Sequence, residues 1–466
     1  MTAFLRRKID TRALSEFFMG DLYPMFIALI TVIGSVTGIE FYLGMVHILL
    51  VSVSLFICPS LKPMVISLLT FVMQLSLGHS PFYPNYSNYY YTGWRLIAVI
   101  LMGVTVASAI IFFIVKDRTY KRVSFKNTPF LLPIIALSIA FSINGAFSDS
   151  WVVGDLVFGL ANAFVYSFVF ILIYHGFAEK EDSSELARYF SYISMLIALI
   201  IILELSVLFL TNENIFADGA INKTEVALGW GIWTVVGASL SVLIPAMFYG
   251  LQFNKYPWLY FAVATVTLLF CALTMSRNAL LFGGLAYVAC VIISCFFGKY
   301  KKAFRIIAAA GALAASVMAV VFWDKIHALF GENFNLGLAL NGRENLWPAA
   351  IDNFLSSPIF GKGFYGLDVT TDFSYGGLPL QAHNTVLQLL SATGAVGLIC
   401  YLYYRFYTLK PVFKRPSLRK TFMALSVVTL LLGSMLDNFV FFIYPTFHYT
   451  VALAVIHKAS REEDAG

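Results

Sequence analysis

Apolar runs of roughly 18–22 residues recur along nearly the whole chain, and each is long enough to cross a bilayer as a helix. The predicted spans are 22–39, 41–58, 63–78, 95–115, 129–146, 152–176, 191–210, 229–250, 257–275, 278–297, 306–323, 384–404, 420–436 and 440–457. They define an all-α, polytopic transmembrane helix bundle of about 12–14 spans. Charged residues make up only 12% of the chain, about half the usual share of a soluble protein. The five cysteines (Cys58, Cys271, Cys290, Cys295, Cys400) lie in or at the ends of apolar runs, carry no metal-ligand pattern and read as buried hydrophobes.

Orientation follows from the basic residues, because Lys and Arg accumulate on the cytoplasmic side. With a cytoplasmic N-terminus, the inside segments 1–21, 59–62, 116–127, 177–190, 251–256, 298–305, 404–420 and 458–466 hold 25 of the 31 basic residues. Both termini are therefore expected in the cytoplasm. The same scatter over loops makes the net charge of +6 no sign of a nucleic-acid partner.

The six exceptions are Arg95, Lys223, Arg277, Lys325, Arg343 and Lys362. Lys223, Lys325 and Lys362 read as ordinary cations of external loops. Arg95 and Arg277 stand at helix mouths. There a guanidinium is either a snorkelling anchor or a fork for phosphate oxygens at the headgroup level. The turn Thr274-Met275-Ser276-Arg277-Asn278 is so short that Arg277 stays at or below membrane level, where a charge needs a partner or a task.

One loop, 324–383, is far longer than usual connections. It divides the chain into an N-terminal transmembrane bundle (1–323), the extracytoplasmic loop itself and C-terminal transmembrane helices (384–466). Within it, Trp347–Leu355 suits a short amphipathic helix, with Trp347, Ala350, Ile351 and Phe354 on one face and Asp352 and Asn353 on the other. Pro348 fits its first turn, Pro358 forbids its continuation, and Gly361, Gly363 and Gly366 make a turn beyond. Such a helix can lie along the membrane surface with Arg343 just before its N-terminus, a place suited to an anion. The loop ends on Gln381, His383 and Asn384, at the mouth of an apolar helix. A helix cap accounts for Asn384. It accounts poorly for His383, a side chain that can take or orient a hydroxyl proton near neutral pH.

Three stretches in this order, TMSRNALL, GRENLWPAAIDNFLSSPIFGKGF and HNTVLQLLSATGAVG, resemble the O-antigen ligase / O-antigen polymerase family of bacterial envelope membrane proteins. The resemblance covers about residues 225–405. Departures are Pro348 directly after Trp347, and Lys362 between two glycines. It implies glycosyl transfer on the extracytoplasmic face of the cell membrane. The donor would be an oligosaccharide on a polyprenyl diphosphate and the acceptor a sugar hydroxyl. One inverting displacement would need no cofactor and no obligatory metal. Arg277 and Arg343 match positions that hold the diphosphate, and His383 the position that activates or orients the acceptor hydroxyl. Ser276, Trp347, Lys362 and Asn384 are carried over as substrate contacts. Arg95 is added on its placement alone, with Tyr89, Tyr90 and Tyr91 read either as sugar-stacking rings or as interface anchors.

The motifs do not separate a polymerase, slightly favoured, from a ligase that transfers the finished glycan to lipid A-core, wall or protein. A chain-length regulator is left open as a partner beside membrane lipids. The competing class is a lipid-linked oligosaccharide flippase, for which the intramembrane acid Glu204 speaks if it lines a central cavity.

Overall fold

The computed structural model describes residues 11–74, 93–216, 221–321, 323–324, 343–367, 381–441 and 443–465. The loop residues Tyr89, Tyr90, Tyr91 and Lys325 lie outside these. The fold is a helix bundle, and each of the fourteen predicted spans coincides with a helix. By length and apolarity alone, seven of the helices can cross a membrane unaided. An amphipathic helix α1 (Thr11–Met19) meets α2 (Leu22–Thr37) at a bend of 70°. Then come α3 (Glu40–Ile57), α4 (Lys62–Gln74), α5 (Gly93–Lys116) and α6 (Leu131–Ser142). The next helix, α7 (Val153–Phe164), passes through a π-helical turn, Val165–Val169, into Phe170–Gly176. After α8 (Ser183–Thr211), a two-stranded hairpin pairs Ala227–Leu228 with Gly231–Ile232.

The centre of the bundle is α9 (Trp233–Phe253), which packs on α8 and on α10 (Pro257–Leu273), α11 (Arg277–Phe296) and α15 (Leu418–Gly433). Small residues make this crowding feasible. A side chain at Gly237 would strike Ala279 and Thr274, so glycine there lets the 274–277 turn close onto α9. Helix α12 (Lys301–Val321) follows α11, and α16 (Ile443–Ala465) closes the chain.

Ion pairs gather at the end of the bundle that the basic residues assign to the cytoplasm. Lys180 reaches Asp117 at 2.6 Å and the Pro59 carbonyl at 2.5 Å. Lys420 reaches Glu463 at 2.5 Å, and Arg461 reaches Glu179 at 3.3 Å.

At the other end, the helix within the large loop is longer than its pattern predicts and is turned. It runs from Arg343 to Ser356 as α13, so Arg343 is its first residue and Pro348 stands inside it. Its inward face is Leu346, Ala350 and Asn353, not the Ile351 face. Asn353, expected on the polar side, donates to the Gly366 carbonyl at 2.8 Å and to Ser391 Oγ at 3.1 Å. Ile351 (45% exposed) and Leu355 (68%) form an apolar outer stripe, as a helix lying along a lipid surface requires.

Downstream of α13, residues 358–363 repair a broken helix. Helix α14 (Thr385–Lys414) is interrupted at Gly394, whose φ of 63° and ψ of −162° only glycine adopts at ease. The Ala395 and Val396 amides, cut off from their carbonyls four residues back, donate instead to Pro358 O (2.8 Å) and Ile359 O (3.2 Å). Those abandoned carbonyls, Ser391 and Ala392, accept from Lys362 N (2.8 Å) and Gly363 N (3.0 Å). Buried Asp155 on α7 anchors the far side of this strap by accepting from Tyr365 N at 2.7 Å, and Asn144 accepts from Phe364 N at 3.2 Å.

A methyl group at Gly394 would fall on the Ile359 carbonyl, and one at Gly363 (φ 92°) on the Asp155 carboxylate. Gly394→Ala and Gly363→Ala are each expected to cost about 1–3 kcal/mol from backbone strain alone. Gly38→Ala shares the positive φ (72°) but meets open space, and serves as the control. Thermal unfolding in detergent checks this; equal melting temperatures for all three variants would refute the strap's role.

Candidate active site

Three short turns at the end of the bundle bearing α13 come together. The first is 274–277, where Met275 holds a φ of 57° and Ser276 caps α11 by accepting from Ala279 N at 3.3 Å. The second is 381–384, where His383 holds a φ of 48°. Left-handed backbone on a non-glycine residue is strained, and it persists where surrounding contacts fix it. Those contacts are visible. Asn384 Oδ1 caps α14 by accepting from Val386 N (3.0 Å) and Leu387 N (3.1 Å), while its amide donates to Met435 O at 3.0 Å. The Trp347 indole donates to Ala382 O at 3.0 Å, tying α13 to the residue before His383.

The third turn, 434–441, links α15 to α16. Thr385 donates to Ser434 O through its amide (3.1 Å) and hydroxyl (2.9 Å). Gln388 Oε1 accepts from both Ala382 N (2.7 Å) and Asn438 Nδ2 (3.2 Å). Asn278 Nδ2 donates to Gly433 O at 2.7 Å, which brings the start of α11 to the same place.

At their meeting point His383 Nδ1 lies 2.7 Å from Asp437 Oδ1. The Asp437 side chain is 5% exposed and the His383 ring 32%, so the carboxylate is the inner partner and the ring faces outward. With the proton on Nδ1 directed at the carboxylate, Nε2 is left as a proton acceptor, the arrangement by which an acid orients a general base. Burial pushes the Arg343 guanidinium below its usual range, the Asp437 carboxylate opposes that, and Arg277 adds to it. Arg343 is thus close enough to feel both. Burial, and after it Arg277, likewise lower the Lys223 ammonium. Arg343 therefore lies within electrostatic range of both Asp437 and Arg277, and Lys223 within range of Arg277.

His383, Arg277 and Arg343 come together as a group. Ser276, Asn384 and Trp347, carried over as substrate contacts, have polar atoms engaged by the protein itself and serve to position the turns. Lys362 lies on the strap, its carbonyl accepting from Ser150 Oγ at 3.4 Å. Arg95 is on α5, which packs on α3, with its guanidinium 5.7 Å from the Trp94 ring centroid. It stands apart from the group. Asp437 is a member that the sequence reading passed over, and Lys223, read as an ordinary loop cation, lies within electrostatic range of Arg277. Asp437 had a usable signal: it falls in a link of a few residues between two spans, the same argument that singles out Arg277. Glu204 is buried, and its Oε2 accepts from the Trp230 indole at 2.9 Å.

These features define a multi-pass helical membrane protein whose cations, histidine and carboxylate converge at one end of the bundle. Residues 261–402 match the family model described as O-antigen ligase, which places this segment of the chain, with Arg277, Arg343 and His383 inside it, in the O-antigen ligase/polymerase family. The likeness of that segment is to O-antigen ligase-type membrane glycosyltransferases in general. No curated protein matches the chain.

Proposed function

We propose that the protein joins oligosaccharide units carried on a polyprenyl diphosphate into cell-surface polysaccharide, on the extracytoplasmic face of the membrane. The observation that supports this most is the His383–Asp437 pair, 2.7 Å apart, with Arg343 in electrostatic range of Asp437 and of Arg277. In this reading the acceptor's sugar hydroxyl attacks the anomeric carbon of the donor from the side opposite the diphosphate. His383 Nε2 takes the hydroxyl proton as the new C–O bond forms. The bond to the diphosphate oxygen breaks, and Arg277 and Arg343 stabilise the charge that builds there. Asp437 holds the imidazole in the required tautomer. Lys223 adds a third positive charge beside the leaving group.

Head-to-tail polymerisation is the preferred form, with ligation to a separate anchor as the alternative. Gel banding of lipid-linked and surface glycan from cells lacking the protein separates them. Single repeat units alone identify a polymerase. Long chains retained on the lipid carrier identify a ligase. Normal surface glycan would overturn the transferase reading, and absence of lipid-linked glycan from the outer face would replace it with transport.

A further inference from the structure

Arg405 falls in the segment 404–420 that the basic residues assign to the cytoplasm, yet it stands inside α14 and is 7% exposed. Four tyrosine rings surround its guanidinium, with centroids at 4.4 Å (Tyr401), 4.8 Å (Tyr449), 5.3 Å (Tyr404) and 5.4 Å (Tyr166). Ring faces offset part of the burial of the charge. An apolar side chain would need no such cage, so a cation kept within a membrane bundle calls for a task.

The hydrogen bond it makes to Tyr166 points to that task. Arg405 Nη2 donates to Tyr166 Oη at 3.2 Å, and Tyr166 Oη donates to Val440 O at 2.8 Å. Tyr166 lies in the π-helical turn of α7, a local departure that changes the direction of a side chain relative to a regular helix. Val440 belongs to the 434–441 turn. Its amide donates to Ser434 Oγ at 3.1 Å, and Ser434 O receives both Thr385 bonds. Asp437 sits between Ser434 and Val440. Thr446 Oγ1 also donates to Val440 O, at 3.0 Å, from α16. A hydroxyl that accepts from a guanidinium is a stronger donor, so the buried charge tightens the contact at Val440.

We propose that Arg405 is a positioning residue for the His383–Asp437 pair, acting through Tyr166 on the 434–441 turn. The link to the turn stands on the contacts above; its consequence for catalysis rests on the proposed transferase function.

The test is amide hydrogen exchange on the full-length protein in phospholipid nanodiscs, with Tyr166→Phe, Arg405→Met, Arg405→Lys and the Tyr166→Phe/Arg405→Met double variant. Peptides covering 434–441 are expected to exchange about tenfold faster in Tyr166→Phe and Arg405→Met, with the 233–253 helix unchanged. The double variant should be no worse than either single one, and Arg405→Lys should be intermediate. Surface glycan in complemented cells should fall in the same order at equal amounts of inserted protein. Unchanged exchange in 434–441, additive effects in the double variant, or faster exchange throughout the chain would each overturn the proposal. Faster exchange in 434–441 with normal glycan would overturn its catalytic part. Should cells lacking the protein keep normal surface glycan, the transferase reading fails instead, and the exchange result still decides whether Arg405 holds the turn.

Discussion

His383→Ala is expected to reduce glycan transfer by about 10²–10⁴-fold, the usual contribution of a general acid or base. The protein should still insert at its normal level, because the ring is partly exposed and its neighbours are held by bonds that do not involve it. Ala382 N is bound to Gln388, Asn384 caps its own helix, and Thr385 is bound to Ser434. Asp437→Asn tests the second half of the pair. It preserves shape, but an amide can present its NH₂ group to Nδ1 and so favour the wrong tautomer. A smaller loss than that of His383→Ala is expected. Chains counted on a glycan gel, against an immunoblot of membrane-inserted protein, measure both variants. Wild-type banding from His383→Ala would remove the histidine from the mechanism.

Arg277→Ala and Arg343→Ala should each lower transfer by about 10²–10³-fold, comparable to removing one donor from a preorganised anion site. The two are not interchangeable in surroundings. Arg343, on α13, is in electrostatic range of Asp437, whereas Arg277 opens α11 in range of Lys223. Lysine at either position keeps the charge and loses the two-pronged fork, so Arg→Lys is expected to restore activity only in part. Full activity in the lysine variants would reduce the role to simple charge. Full activity in the alanine variants would end the assignment of these cations to the leaving group.

The helices were legible because membrane spans are read from length and apolarity, and both are properties of contiguous residues. The site was legible where each member carried a local oddity: a histidine at a helix mouth, and arginines on the side where basic residues are scarce. Asp437 carried only the weaker mark of a charge in a short link between spans, and its partner His383 stands 54 positions earlier in the chain. The burial of Arg405 left no mark in the sequence, because its helix extends to Lys414, well past the apolar run that suggests its end. The face of α13 was misassigned for a related reason. Periodicity identified the apolar residues, but the helix buries Asn353 against the strap and turns Ile351 outward. Two apolar environments, lipid and protein, compete for the same side chains, and sequence pattern alone does not distinguish them.

The swapped bonds around Gly394 bear on how the protein is made. In hydrocarbon an unpaired backbone amide is costly, by several kcal/mol per group. The Ala395 and Val396 amides find their acceptors in Pro358 and Ile359, each 37 residues earlier in the chain. Helix α14 therefore cannot reach its final hydrogen-bonded state by leaving the translocon sideways as a finished rod. The 358–363 segment must already be in place for this helix to be completed. Completion of this helix and closure of the site thus belong to a single step of biogenesis, and a chain truncated before Lys414 would leave both undone.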